Sequence, residues 1–168
     1  KIPVINAKLL KKANITDVMG YTQNISFLNL VYSEKYINIL KTFNVGNYVV
    51  FQVSIENIIG KYYFLFVETI LSKDIIFEHS IVYTGHQVLN NIEYFTFSNY
   101  DEYWEFLQKN PLARFAKISI SKKYSERDII KIQGPLPFYS ERLIDFLLDC
   151  GITGLQVNYN NSIQLEFI

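Results

Sequence analysis

The sequence predicts an α+β protein with a mostly antiparallel sheet and about three short helices. Segments rich in β-branched and aromatic residues are separated by short turns, as in strands that pair as hairpins. Three other segments have apolar residues that recur at the helical period. The chain has 168 residues, the length of one domain, so we expect a single domain over 1–168. The lysine-rich start makes 1–20 a candidate for a loosely attached arm.

The strand prediction depends on two long segments, 47–55 and 61–70. A short connection joins them, so we expect an antiparallel hairpin. Tyr62–Val67 has no polar interruption, and a strand of this kind is usually covered on both faces, so we expect it at the centre of the sheet. Further strands are predicted at 25–32, 75–83, 92–97, 113–121 and 129–133, and a closing hairpin is predicted from 155–159 and 162–167.

The last of the three predicted helices, 140–150, has clear start and stop signals. Ser140 can cap the free backbone N–H groups of the first turn, and Gly151 can take the left-handed conformation that ends a helix. The apolar face includes Phe146 and Leu147, which we expect to be buried against the sheet. The other helices are predicted at 34–42, after Ser33, and at 99–109, after Ser98, the latter with an apolar face of Tyr103, Trp104, Phe106 and Leu107.

A short sequence recurs before two of these helices. Tyr-Ser-Glu-Lys at 32–35 and Tyr-Ser-Glu-Arg at 139–142 are each followed by apolar residues at the same offsets. Internal duplication would explain the match. Convergence would explain it too, because two helices with a serine cap and one buried face need similar residues. Tyr-Ser-Glu-Arg at 124–127 has no helical periodicity after it, which favours convergence.

The charge of the chain is balanced, with 16 basic and 16 acidic residues. A neutral chain has no overall field that would attract nucleic acid or an anionic membrane, so we expect neither as a partner. No apolar run reaches the length of a membrane span. The single cysteine cannot form an internal disulfide and fits a reducing compartment, which predicts a cytoplasmic location.

The residue types that often carry catalysis occur where a structural role is favoured. Cys150 falls at the end of the third predicted helix, where the dipole disfavours a thiolate. His79 and His86 have no third ligand nearby in the sequence, so they do not match a metal site. The sequence has no phosphate-binding loop and no nucleophile elbow. We therefore expect a protein that is not an enzyme, with no catalytic residue, cofactor or metal.

Acidic residues on two predicted helices are the candidate partner-binding residues. Glu141, Asp145 and Asp149 follow at i, i+4 and i+8 opposite the apolar face of the third helix. Like charges at this spacing repel, and Asp149 falls at the negative end of the helix dipole. A solvated polar face explains the arrangement, and so does a surface that binds a basic partner. The second set, on the helix at 99–109, is Asp101, Glu102 and Glu105.

The C-terminal part of the chain resembles a motif of bacterial polymorphic-toxin immunity proteins. The similar stretches are Tyr-Ser-Glu-Arg-Leu at 139–143, the apolar helix after it, and Gly-Ile-Thr-Gly-Leu at 151–155. The size of the chain and its tyrosine-rich segment at 61–65 resemble these proteins too. The resemblance implies a single-domain protein without catalytic residues that binds and neutralises a cognate toxin domain. The alternative is a small enzyme or ligand-binding domain whose pocket is assembled from scattered residues.

Overall fold

The computed structural model describes residues 5–21, 30–135, 137–157, 159 and 163–168. Within these ranges the protein has three α-helices and twelve strands, which confirms the α+β class. The helices are α1 Glu34–Leu40, α2 Tyr100–Lys109 and α3 Glu141–Asp149. The strands are β1 Ile5–Ala7, β2 Val18–Gly20, β3 Leu30–Ser33, β4 Tyr48–Ile55, β5 Tyr62–Val67, β6 Thr69–Ile70, β7 Ile81–Thr84, β8 Glu93–Phe95, β9 Arg114–Ile120, β10 Ile129–Ile132, β11 Phe138–Tyr139 and β12 Gln164–Phe167.

The chain divides into two compact units, each assembled from three separate segments. Unit 1 contains Lys1–Thr69, Arg127–Lys131 and Leu136–Gln156. Unit 2 contains Ile70–Glu126, Ile132–Pro135 and Val157–Ile168. Both units have mixed sheets, because β1 pairs with β4 in parallel and β12 pairs with β9 in parallel, whereas the other strand pairs described below are antiparallel.

Unit 1 is organised around a five-stranded sheet of order β1–β4–β5–β3–β2. The predicted hairpin is present as β4 and β5, with Tyr48 opposite Val67 and Val53 opposite Tyr62. β5 lies at the centre of the sheet, as predicted. Of the strand predicted at 25–32, residues 25–29 lie outside the described residues, and the remainder falls in β3.

Both faces of β5 are covered, which explains its continuous apolar sequence. Tyr63 and Leu65 pack against the core that α1 and α3 complete, whereas Phe64 belongs to a second apolar cluster. Neighbouring strand residues point to opposite faces, so these two clusters lie on opposite sides of the sheet. The fully buried residues contributed by the helices are Tyr36 and Leu40 from α1, and Leu143 and Leu147 from α3.

Unit 2 contains a four-stranded sheet of order β12–β9–β7–β8 and the aromatic helix α2. The ring of Tyr103 in α2 has its centroid 5.1 Å from that of Phe77 and 5.2 Å from that of Phe115. The strand predicted at 75–83 is shorter than expected, because a 3₁₀ turn, Phe77–His79, precedes β7. Phe77 is buried in this turn and so becomes an anchor for α2.

The predicted closing hairpin is wrong. Residues 155–157 are not a strand, and β12 pairs with β9, with Gln164 opposite Lys117 and Phe167 opposite Ile120. Leu155 instead packs against the core of unit 1. Residues 158 and 160–162 of the predicted hairpin lie outside the described residues. Gln156 belongs to unit 1 and residues 163–168 belong to unit 2, so the start of the first predicted strand and the second predicted strand fall in different units.

Two segments of unit 1 have the same local structure. In the first copy, residues 17–20 and 30–46, the antiparallel strands β2 and β3 lead into α1. In the second copy, residues 128–131 and 137–154, the antiparallel strands β10 and β11 lead into α3. Val18 is opposite Tyr32 and Ile129 is opposite Tyr139. The two pairs have the same register. In each, the first residue directly follows an aspartate (Asp17 or Asp128), and its partner directly precedes the serine that caps the helix.

Candidate partner-binding surface

The start of α3 is held by a serine cap and a buried carboxylate. Ser140 Oγ accepts a hydrogen bond from the N–H of Leu143 at 3.2 Å, which confirms the predicted cap. The same hydroxyl donates to Asp128 Oδ1 at 2.6 Å, and Arg142 Nε and Nη2 donate to the two carboxylate oxygens at 2.6 and 2.8 Å. Burial raises the pKa of Asp128, but these hydrogen bonds and one from the N–H of Asn44 outweigh it and hold the pKa below its usual range. The carboxylate therefore remains charged where it anchors the first turn of α3.

The end of α3 also follows the prediction. Gly151 has a φ of 66°, in the left-handed region that glycine adopts without steric cost. Its N–H donates to the carbonyl of Leu148 at 2.8 Å, and the N–H of Ile152 donates to the carbonyl of Leu147 at 3.0 Å. This pair of bonds is the Schellman pattern, which satisfies the last carbonyls of a helix. With both ends fixed, α3 presents its outer face in a defined orientation.

All three candidate acids of α3, Glu141, Asp145 and Asp149, are exposed on that outer face. No residue of the described ranges places a cation within ion-pair distance of them. The opposite side of the helix is formed by Leu143, Ile144 and Leu147, which are buried.

Two apolar residues lie among these acids. Phe146 is 46% exposed and Leu148 is 48% exposed, so the prediction that Phe146 is buried is wrong, whereas the prediction for Leu147 is confirmed. Phe146 rests with its ring edge toward Phe43, at a centroid distance of 5.4 Å, beside a shallow groove between α1 and α3. Leu148 lies three residues after Asp145 on the helix, a spacing that could have assigned it to the outer face from the sequence.

The first copy shows which features of α3 the helix itself requires. Ser33 caps α1 through the N–H of Tyr36 at 3.2 Å, as Ser140 caps α3. Counting from the cap, the positions of Asp145 and Asp149 correspond to Asn38 and Thr42, which are neutral and exposed. Asn38 lies in α1, whereas Thr42 follows its end, since α1 is two residues shorter than α3. A capped helix packed on this sheet therefore does not need an acid at the position of Asp145.

The second candidate set lies on α2, in unit 2. Asp101, Glu102 and Glu105 are all exposed. The cap of this helix is Asn99 rather than the predicted Ser98. Asn99 accepts a hydrogen bond from the N–H of Glu102 at 3.0 Å, and Glu102 Oε2 accepts one from the N–H of Ser98 at 2.9 Å. Glu102 therefore has a structural role at the helix start.

Trp104 lies between the other two acids of α2, Asp101 and Glu105, in the sequence. It was predicted to face the core, but it is 48% exposed and its ring is nearly parallel to that of Tyr100 at a centroid distance of 6.2 Å. The core-facing side of α2 is narrower than its aromatic composition suggested. Tyr103 and Phe106 contact the rings of Phe77, Phe95 and Phe97, and Tyr100 also contacts Phe77.

The remaining chemically versatile residues make local contacts. His79 accepts a hydrogen bond from Ser119 Oγ through its backbone carbonyl at 2.9 Å, and His86 Nδ1 accepts one from the N–H of Val88 at 3.2 Å. Cys150 is half-buried at the C-cap of α3 and borders the groove with Phe146. Across the described ranges, histidine, cysteine and acidic side chains form no group of three that could hold a metal ion.

Among the residues that the structure describes, no helix has the length and apolarity needed to cross a membrane. The candidate surface consists of three exposed acids on α3, Glu141, Asp145 and Asp149, with the exposed side chains of Phe146 and Leu148 beside them. No family model, curated protein or solved structure matches the chain.

Proposed function

We propose that this protein is an immunity protein that binds a cognate toxin domain and neutralises it through the outer face of α3. One observation carries the proposal: Asp145 and Asp149 are exposed without a cationic partner among the described residues. Asp149 is the last residue of α3, where a negative charge opposes the helix dipole. The helix thus carries a charge arrangement that costs stability, which binding a basic partner would explain.

The kind of toxin follows from the chemistry of this face. A toxin that cuts nucleic acid needs a basic surface to hold phosphates. Complementary carboxylates speed the encounter with such a surface and reject wrong partners. Phe146 and Leu148 would add apolar contact area on either side of the acidic residues. The resemblance of the stretches at 139–143 and 151–155 to immunity proteins points to the same function.

The first experiment tests whether a partner exists. The protein is co-expressed with the product of the adjacent upstream gene, and the two are purified together. We expect a stable complex and protection of the cell from that product. A product that is harmless to the cell, or that neither binds the protein nor is neutralised by it, would contradict the proposed function.

The second experiment tests the surface, using association rates with the toxin. Neutralising Asp145→Asn and Asp149→Asn together should slow association several-fold at low salt and much less at high salt, since salt screens the attraction. The control is the pair Asp74→Asn and Glu78→Gln, two exposed acids of unit 2, which changes the net charge equally. Equal rates for both double variants would exclude the face of α3 as the binding surface. The α2 surface with Asp101, Glu105 and Trp104 would be tested next.

A further inference from the structure

We propose that the two hairpin–helix copies of unit 1 are interlocked, so that each copy completes its fold only when the other is in place. Two aspartates, Asp17 and Asp128, couple the copies, and one lies at the start of each copy. Each aspartate binds the capping serine of its own copy and the backbone after the helix of the other copy. This conformational coupling is separate from toxin binding and concerns how unit 1 is built.

The contacts within each copy are matched. Asp17 Oδ1 accepts a hydrogen bond from Ser33 Oγ at 2.7 Å, and Asp128 Oδ1 accepts one from Ser140 Oγ at 2.6 Å. The backbone carbonyl of each aspartate also accepts a hydrogen bond from the N–H of the same serine, at 2.7 Å in the first copy and 2.9 Å in the second. A serine cap alone does not require an aspartate at this place, so the two copies share more than a capping motif.

The contacts between the copies are reciprocal. Asp17 Oδ2 accepts hydrogen bonds from the N–H and Oγ1 of Thr153, in the loop after α3, at 3.0 and 2.9 Å. Asp128 Oδ2 accepts a hydrogen bond from the N–H of Asn44, in the loop after α1, at 2.8 Å. The backbone closes both connections: the N–H of Val18 donates to the carbonyl of Thr153, and the N–H of Asp128 donates to the carbonyl of Asn44.

Further contacts cross between the copies at the helix ends. Lys35 Nζ, which follows the cap of α1, donates to the carbonyl of Cys150 at the end of α3 at 2.6 Å. A cation is favourable there because it complements the negative end of the helix dipole. Gly154 lies so close to the first copy that a Cβ on it would be 2.1 Å from the carbonyl oxygen of Val18. The loop after α3 is therefore shaped to fit against the first copy.

The consequence for folding follows from the cost of unpaired polar groups. Without the other copy, Asp17 Oδ2 loses both of its hydrogen bonds from Thr153, and Asp128 Oδ2 keeps only the one from Arg142 Nη2. Hydrogen bonds to a charged group contribute more to stability than those between neutral groups. Loosening one copy therefore weakens the cap of the other. Local opening of proteins usually follows such cooperative units.

Hydrogen exchange measured by mass spectrometry on the full chain tests this coupling. Thr153→Val removes one hydroxyl from the second copy, and we expect amides of the first copy in β3 and α1 to exchange at least about tenfold faster. Thr153→Ser, which keeps the hydroxyl, should restore the slow exchange. The matched control is Thr42→Val, because Thr42 Oγ1 donates to the carbonyl of Ile39 within its own copy at 2.7 Å. This variant should leave the exchange of α3 unchanged.

Two results would overturn the inference. Wild-type exchange in β3 and α1 of Thr153→Val would show that the first copy is stable without its partner's hydroxyl. Faster exchange of α3 in Thr42→Val, as large as the effect of Thr153→Val on α1, would show that any loss of a hydroxyl loosens the whole unit. Either result would mean that each aspartate only supports the capping serine of its own copy and does not couple the two copies.

Discussion

At the scale of single residues, Asp128 is the side chain through which α3, β10 and the loop after α1 are joined. Only 1% of the residue is exposed, yet it accepts hydrogen bonds from Ser140, Arg142 and the N–H of Asn44. Asp17 has the corresponding position in the first copy, and the bonds from Ser33 and Thr153 outweigh its burial, so its pKa is lowered as well. Both carboxylates are thus stabilised in their charged form by the fold.

A lowered pKa in the folded state makes stability depend on pH. The contribution of Asp128 is complete above the pKa of the unfolded chain, about 4 for aspartate, and is lost as the pH falls through the lower folded-state pKa. We expect the urea midpoint of the wild type to fall steeply below about pH 4. Asp128→Asn should be less stable at neutral pH, and its midpoint should fall less in acid. Asp74→Asn, at an exposed site, serves as the control and should retain the wild-type slope; an equal slope for Asp128→Asn would contradict this explanation.

The sequence did not indicate the importance of these aspartates. Asp17 and Thr153 are separated by 136 positions, and Asn44 and Asp128 by 84 positions, so no local pattern connects them. The serine caps were predictable because capping depends on neighbouring residues. The aspartates that bind the capping serines could not be predicted in this way, because their contacts depend on which strands and loops meet in three dimensions. The repeated Tyr-Ser-Glu sequence was the one available signal, and the shared register and aspartate contacts extend that match to the local structure of the two segments.

At the scale of elements, α3 was predicted well in its bounds and less well in its faces. The serine cap and the glycine stop are local signals, and both are present. The apolar period indicated one broad face that includes Phe146, but α3 packs with a narrower face. Trp104 in α2 shows the same error. Aromatic residues at the border of an apolar face can contact a neighbouring ring and remain exposed, and the sequence period does not separate this from burial.

Truncation of two neighbouring residues distinguishes the two sides of α3. Leu147→Ala should lower the free energy of unfolding by about 2–5 kcal/mol, because Leu147 is fully buried and the truncation leaves a cavity. Phe146→Ala removes a half-exposed ring whose edge contact with Phe43 contributes about 1 kcal/mol. Urea denaturation measures both values. Equal losses would place Phe146 in the core and contradict the assignment of the outer face.

At the scale of the whole molecule, the class of fold followed from the alternation of strand and helix signals, but the partition of the chain did not. The chain passes between the two units five times, after residues 69, 126, 131, 135 and 156. Neither unit is a continuous segment, so a change in composition or a linker along the sequence could not indicate the boundary between them. The two parallel pairs, β1 with β4 and β12 with β9, were missed for a related reason, since their strands are far apart in the sequence.

The predicted single domain is tested by two probes, one in each unit. Trp104, the only tryptophan, reports on unit 2 by fluorescence, and Cys150, the only cysteine, reports on unit 1 by its reaction with a thiol reagent. We expect the two probes to give the same urea midpoint, because repeated passage of the chain ties the folding of one unit to the other. Two separate midpoints would mean that the units are independent domains and that the single-domain prediction is wrong.

The matched copies in unit 1 also bear on how such a protein can evolve. The two copies are joined by Asp17 with Thr153 and by Asp128 with Asn44, so a change at these positions in one copy affects the other. The outer faces of α1 and α3 carry no such constraint, and they differ, with Asn38 at the position that corresponds to Asp145. Mutation can therefore change the charge of a helix face without a change in the scaffold. A lineage with this architecture can therefore acquire a new surface chemistry through substitutions on a helix face alone.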